Sequence, residues 1–182
     1  QQYSDEELAV AADEAHRAGI KVAAHAHGDA GIRAAINAGI DCIEHGSLMT
    51  EDTLALAKER GTFLVATTYL ADGMDVSHAA PELQAKAAEV FPQARKTISR
   101  ALELGIKVCC GTDAPAIPHG QNAKELIALT ERGASPLRAL QTATITSAEL
   151  VDAHDRGRLE PGLLADIIAV PGNPLEDISV TE

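Results

Sequence analysis

The sequence predicts an α/β protein with a parallel sheet, and two observations support this class. A unit of helix, glycine and short apolar strand recurs four times between Ser4 and Asp113. The strands are apolar along most of their length, which is typical of parallel strands covered by helices. Because the connecting turns are short, successive strands are expected to pair through helical crossovers. Four such units fit either an open flavodoxin-like sheet or half of an eight-stranded barrel.

Helix start and stop signals delimit the four units. Ser4 followed by Glu7 forms a capping box, and Gly19 suits the left-handed position after that helix. Pro81 can begin the fourth helix, and Pro92 is expected to interrupt or restart it. The strands are expected at 20–25, 40–45, 62–67 and 106–110, and the helices between them at 29–38, 51–60 and from 81 to 105.

The chain changes character after the fourth strand. Short helices are predicted near 122–132, 136–142 and 147–153. Residues 154–182 are rich in turn signals, and the apolar run 165–170 is expected to form a strand. We therefore divide the chain into an α/β domain over 1–154 and part of a β-type subdomain over 155–182.

Composition and charge exclude several classes of partner. The 182 residues carry a net charge of −12, which argues against nucleic acid or an anionic membrane as a partner. Aromatic residues make up 2% of the chain, too few for a stacking platform. We find no signal peptide or membrane helix, and three cysteines do not resemble a disulfide framework. These observations favour a cytoplasmic protein that binds a small-molecule substrate.

Polar side chains follow the carboxyl ends of three predicted strands, where α/β proteins carry their chemistry. The first strand ends at His25, with His27 two residues later; the second ends at His45, and Asp113 follows the fourth. His25 and His27 share a face if the strand continues. Histidine and aspartate together suit Zn²⁺, which lowers the pKa of bound water to about 7. The expected reaction is hydrolysis of an amide, an ester or a cyclic C–N bond, with Asp113 beside the water as a proton carrier.

Several separated motifs resemble the amidohydrolase superfamily. They are Val-Ala-Ala-His-Ala-His-Gly at 22–28, Ile-Glu-His-Gly at 43–46 and Gly-Thr-Asp-Ala at 111–114. The segments 118–122 and 157–166 are similar to the same branch, which contains imidazolonepropionase and enzymes like the Xaa-Pro dipeptidase (prolidase). The resemblance covers nearly the whole chain, with the motifs in the family's order.

The resemblance implies the C-terminal half of a (β/α)8 TIM barrel, strands five to eight, with part of a small β-sandwich at the end. It implies that His25, His45 and Asp113 hold one or two divalent metal ions, Zn²⁺ first, and that Asp113 is the proton shuttle. His27 is not a ligand position in the family pattern and is expected to face the substrate. Tyr69 and His119 are further candidate substrate contacts.

Two family features are missing from the sequence: the strand-one His-x-His pair and the strand-four lysine. The expected function is metal-dependent hydrolysis of C–N bonds, in dipeptides or acyl-amino acids. The alternative is a catalytically incomplete fragment that acts only with an N-terminal half, or associates with itself as a half barrel. A third hypothesis, a complete flavodoxin-like binding domain, lacks the glycine-rich phosphate loop that would suit it.

Overall fold

The computed structural model describes residues 2–182 and contains a four-stranded parallel sheet. The strands are β1 (Ala23–Gly28), β2 (Cys42–Leu48), β3 (Phe63–Val65) and β4 (Val108–Cys109). The helices are α1 (Asp5–Arg17), α2 (Asp29–Asn37), α3 (Glu51–Arg60), α4 (Leu70–Gly73), α5 (Pro81–Leu104), α6 (Lys124–Glu131), α7 (Pro136–Thr142) and α8 (Ile145–Leu150). The predicted α/β class with parallel strands is confirmed.

The strands lie side by side in chain order, β1-β2-β3-β4. A flavodoxin-like sheet reverses direction after its first strand, so that strands two and three flank strand one. Within residues 2–182 no such reversal occurs, and each crossover leads to the next strand. The order is that of a barrel segment and does not fit the flavodoxin-like hypothesis.

The start of α1 forms as its sequence predicts. Ser4 Oγ accepts a hydrogen bond from the Glu7 amide at 3.2 Å, and the Glu7 carboxylate accepts from the Ser4 amide at 2.8 Å. The expectation for Pro92 is wrong, because α5 continues through it without a break. Pro92 lies on the exposed side of α5, where the carbonyl it leaves unbonded can face water. The buried side, which includes Ile98 and Leu102, packs on the core and keeps the helix together.

The sheet has two different faces. On the helix-covered face, apolar side chains of the strands pack into one cluster with α2, α3, α5 and α6; its fully buried members include Ile32, Ile36, Ile43, Leu54, Leu64, Ile98 and Leu129. The other face, here called the histidine face, carries His25 and His27 above a small cluster of Cys42, Phe63 and Cys109. The fold therefore places the large core on one side of the sheet and the histidines on the other.

The strand predicted at 20–25 forms three residues later, as β1, and so includes His27. Ile20 is 61% exposed and precedes the sheet. The short helix α4 occupies the start of the connection between β3 and α5. The shift of β1 moves His27 from the connection after the strand into the strand itself.

The strand expected at 165–170 does not form. Ile167 and Ile168 are 67% and 83% exposed, and no other strand lies beside them to accept their backbone hydrogen bonds. The regular element of the tail is a 3₁₀ helix, Ile178–Thr181, whose Ile178 packs into the helix-covered core. Within residues 2–182 the structure therefore does not show the expected part of a small β-sandwich, and the division at 154/155 stays a prediction. Within residues 2–182 no helix combines the length and apolarity that crossing a membrane requires.

Candidate metal and active site

Three histidines come together at the carboxyl ends of β1 and β2. The metal-binding atoms of His25, His27 and His45 all lie within 4.8 Å of one another. Their ring centroids are 4.9 Å apart for His25 and His27, and 4.7 Å for each of the other two pairs. Two nitrogens about 2.1 Å from one ion lie at most about 4.2 Å apart, so a small rotation of the rings is needed for all three to bind the same ion.

The strand pleat positions His25 and His27, but it does not explain His45. In β2, Glu44 pairs with His25 and lies on the histidine face, so alternation would turn His45 toward the helices. His45 instead adopts a left-handed backbone, with φ of 71°, and Gly46 follows with φ of 61°. This turn brings the His45 ring back beside His25 and His27.

Left-handed conformation recurs at three strand ends. His45 within β2, Thr67 after β3 and Asp113 after β4 have φ of 71°, 45° and 52°. A non-glycine residue in this region costs about 1–3 kcal/mol and persists where its surroundings determine it. Such strain clusters at functional sites, and here all three residues belong to the same end of the sheet.

Hydroxyl groups hold Nδ1 of two histidines, and at His45 the contact also fixes the tautomer. Thr67 Oγ1 donates to the carbonyl of Ala66 at 2.8 Å, so at 2.7 Å it accepts from His45 Nδ1–H. His27 Nδ1 makes the corresponding contact with Ser47 Oγ at 2.8 Å. The Nε2 lone pair of His45 is thereby left for a metal ion, an arrangement usual for ligating histidines.

His27 and His45 are neutral at ordinary pH. Burial and, to a smaller extent, the charges of His27 and His25 lower the pKa of His45 to about 4, against an opposing effect of Asp113. Burial also lowers the pKa of His27, with smaller contributions from His25 and Lys86. Neutral imidazole is the form that binds metal ions, so the donor set fits a divalent cation such as Zn²⁺.

Asp113 lies outside the group of three histidines but faces the same region. Its negative charge acts on His27, His45 and Glu44. The structure thus brings together two of the three predicted ligands, His25 and His45, and adds His27 to them. Asp113 remains a predicted ligand and proton shuttle.

Glu44 is a site residue that the sequence reasoning missed. It is half-buried on the histidine face, and it accepts a hydrogen bond from Cys42 Sγ at 3.4 Å. Burial raises the pKa of Glu44, and the charge of Asp113 adds to the increase. The alternation of β2 contains the signal for its position, since Glu44 shares the face of Cys42.

The two predicted substrate contacts beyond the histidines lie in connecting segments. Tyr69 is half-buried just before α4, with Lys124 Nζ 5.6 Å from its ring centroid. His119 is exposed in the segment between β4 and α6. The contact of either residue with a substrate stays a prediction.

Comparison with known proteins identifies related sequences over the whole chain. The model of the amidohydrolase family matches residues 1–182. Ochratoxinase of Aspergillus niger is 39% identical over 185 residues, covering 98% of this chain and 38% of ochratoxinase. The crystal structure of ochratoxinase superposes with a TM-score of 0.88.

Two other solved structures superpose on this chain about as well as ochratoxinase does. A Xaa-Pro dipeptidase with bound methionine in its active site is 42% identical, with a TM-score of 0.91, covering 98% of this chain and 46% of that one. A prolidase complexed with N-methylphosphonate-L-proline is 34% identical, with a TM-score of 0.90, and the match covers 98% of this chain and 45% of the prolidase. The chain therefore spans less than half the length of these relatives, and its sheet is consistent with part of their barrel.

Proposed function

The chain belongs to the amidohydrolase family, and from this premise we propose that it contributes the metal-binding half of a hydrolase that cleaves C–N bonds. The observation that carries the proposal is the convergence of His25, His27 and His45 at the strand ends. His25 and His45 are the proposed ligands of a divalent metal ion, Zn²⁺ first. The third donor is Asp113 or His27: the family resemblance favours Asp113, and the geometry favours His27.

The proposed substrate is a dipeptide or an acyl-amino acid. The Xaa-Pro dipeptidase and prolidase neighbours support this class, and ochratoxinase supports a hydrolase in the same family. When bound, a divalent cation supplies Lewis acidity, which polarises an amide carbonyl and acidifies water. The Asp113 carboxylate takes the proton from the attacking water and gives it to the leaving amine nitrogen.

The hydroxyl contacts of His45 and His27 serve this role before any substrate binds. Thr67 and Ser47 hold Nδ1 of the two rings, and at His45 this leaves the Nε2 lone pair for a metal ion. Tyr69 and His119 are the proposed contacts to the remainder of the substrate.

Metal titration combined with an amidase assay tests the proposal. We expect one to two equivalents of Zn²⁺ to bind, and His25→Ala and His45→Ala to lower the affinity by more than about 100-fold, since outer-shell changes alone cost about 10–100-fold. His78→Ala, an exposed histidine elsewhere, is the matched control. Comparing His27→Ala with Asp113→Asn shows which supplies the third donor. Zn²⁺ binding that is unchanged in both His25→Ala and His45→Ala would contradict the proposal.

A second function, the incomplete fragment, is favoured by a specific observation. β1 and β4 each pair with one neighbour within residues 2–182, and the chain covers 38–46% of the relatives compared above. Hydrolysis of Xaa-Pro dipeptides and N-acyl-amino acids by this chain alone distinguishes the two. Stoichiometric Zn²⁺ without turnover supports the fragment, and chelator-sensitive turnover supports the independent hydrolase.

A further inference from the structure

Glu125 is a buried carboxylate that bonds to the segment after β3. Its exposure is 0%, and it projects from α6 toward residues more than 50 positions earlier in the chain. Oε1 accepts the amide hydrogen of Thr68 at 2.8 Å, and Oε2 accepts that of Tyr69 at 2.7 Å. A buried carboxylate is costly unless its oxygens are bonded, so both oxygens here are committed to two consecutive amides.

The residue before these amides is strained. Thr67 is β-branched and has φ of 45°, a conformation that requires support from its surroundings. The Thr67 hydroxyl is tied to the carbonyl of Ala66 on one side. On the other side, Glu125 fixes the next two peptide groups. The left-handed turn at Thr67 is therefore held from both ends.

That turn determines where the Thr67 hydroxyl lies, and the hydroxyl contacts His45 Nδ1 at 2.7 Å. We propose that Glu125 is a positioning residue for His45. By holding the amides of Thr68 and Tyr69, Glu125 keeps Thr67 left-handed, and the Thr67 hydroxyl then keeps His45 in the Nδ1–H tautomer with Nε2 facing the other histidines. The inference deepens the proposed metal site and rests on it for its effect on metal affinity.

The neighbours of Glu125 agree with this role. The nearby guanidinium of Arg132 bonds to Asp72 and Glu131, so both Glu125 oxygens remain directed at the loop. Lys124, next to Glu125 on α6, places Nζ 5.6 Å from the Tyr69 ring centroid. Consecutive residues of α6 thus contact the backbone and the ring of the same segment.

The test is nitrogen-15 NMR of the metal-free protein, comparing wild type with Glu125→Gln. Glutamine offers one acceptor and one donor where two acceptors are needed, so one amide loses its partner. We expect at least about 10-fold faster hydrogen exchange at Thr68 and Tyr69, and a fall in the Nδ1–H tautomer of His45. Glu89→Gln, an exposed glutamate of α5, is the matched control and should leave both unchanged.

Thr67→Val supplies the second arm, because it removes the hydroxyl but keeps the branched shape. We expect it to shift the His45 tautomer while exchange at Thr68 and Tyr69 stays slow. Each single variant should weaken Zn²⁺ binding by about 10–100-fold, and Glu125→Gln should add less than about 3-fold in the Thr67→Val background, as expected for two residues in one chain of contacts.

Three results would overturn the inference: an unchanged His45 tautomer in Glu125→Gln, additive losses of Zn²⁺ affinity in the double variant, or unchanged affinity in Thr67→Val. If Glu125→Gln does not fold, Glu125→Asp replaces it, since it keeps the charge but retracts the carboxylate by one methylene. The His45 tautomer is measured in the metal-free protein, so this measurement tests the inference even if the proposed metal site is wrong. A normal tautomer with no Zn²⁺ binding in wild type contradicts the proposed function instead.

Discussion

The two faces of the sheet differ in composition and in what they contribute to the protein. The helix-covered face is a continuous apolar cluster in which Ile43 and Leu64 are almost fully buried. The histidine face has the small apolar cluster of Cys42, Phe63 and Cys109, and polar groups at the strand ends. Stability is thus concentrated on one side of the strands, and the chemistry depends on local backbone turns at their carboxyl ends.

Truncation of two consecutive residues of β3 tests whether the two faces contribute differently to stability. Leu64 is 2% exposed on the helix-covered face, and Val65 is half-buried on the histidine face. We expect Leu64→Ala to lower the free energy of unfolding by about 2–5 kcal/mol, and Val65→Ala by about 1 kcal/mol. Urea unfolding measures both, and equal losses would show that the two faces contribute alike.

Glu125 connects the two regions, because it lies in the helix layer but bonds to a strand end. Burial raises its pKa to about 7, despite the amides of Tyr69 and Thr68 and the charge of Arg132. Between the unfolded pKa of 4.5 and about 7, the folded state holds a proton that the unfolded state has lost. The contribution of Glu125 to stability is therefore full below about pH 4.5 and is lost as pH rises to about 7.

We expect the free energy of unfolding of the wild type to fall by about 3 kcal/mol as the pH rises from about 4.5 to above 7 because of Glu125. Glu125→Gln should abolish this part of the pH dependence. Urea unfolding at pH 4.5, 5.5, 6.5 and 7.5 gives the slope for both proteins. The difference between the two slopes isolates Glu125 from the other titrating groups. Parallel curves for wild type and variant would mean that the carboxyl titrates normally in the folded state.

Close packing on the histidine face is tested at Gly111. A methyl group there would lie 2.3 Å from Val65 Cγ1, a contact that requires the β3 side chain to move. We expect Gly111→Ala to cost about 1–3 kcal/mol and the cost to fall when Val65→Ala is combined with it. Thermal unfolding of the two single variants and the double variant measures the coupling between them. Additive losses of stability would show that the strain does not arise from the contact with Val65.

The smallest expected effect is at Gly31 in α2, a glycine with free space around it. Nothing lies within 4 Å of the position that a methyl group would occupy. Alanine in a helix is favoured over glycine by about 0.5–1 kcal/mol, so Gly31→Ala should stabilise the chain by that amount. A loss of stability in the same thermal assay would indicate that α2 packs more tightly than the structure shows.

Much of the helix layer could be predicted from the sequence, because periodic apolar residues and caps act locally. The capping box at Ser4 and the glycine after α3 form as expected, with φ of 70° at Gly61. The strand expected at 165–170 failed because a strand depends on a neighbour that local patterns do not specify. The helix break expected at Pro92 is absent because Pro92 is exposed, and the carbonyl that loses its hydrogen bond can face water.

The site could be predicted in part. Alternation accounts for His25 and His27 on one face, whereas the left-handed turn that returns His45 to them has no signal in residue spacing. Residue spacing gives no signal for the role of Glu125 either, since its partners, Thr68 and Tyr69, are more than 50 residues away. Contacts between distant segments and backbone strain are both set by the assembled fold.

The most direct test of the account is the position of Zn²⁺ in a crystal of the loaded protein, read from anomalous diffraction at the zinc edge. We expect an anomalous-difference peak about 2.0–2.1 Å from ring nitrogens of both His25 and His45, with His27 or Asp113 as a further donor. Zn²⁺ bound elsewhere, with His25 and His45 unligated, would contradict it.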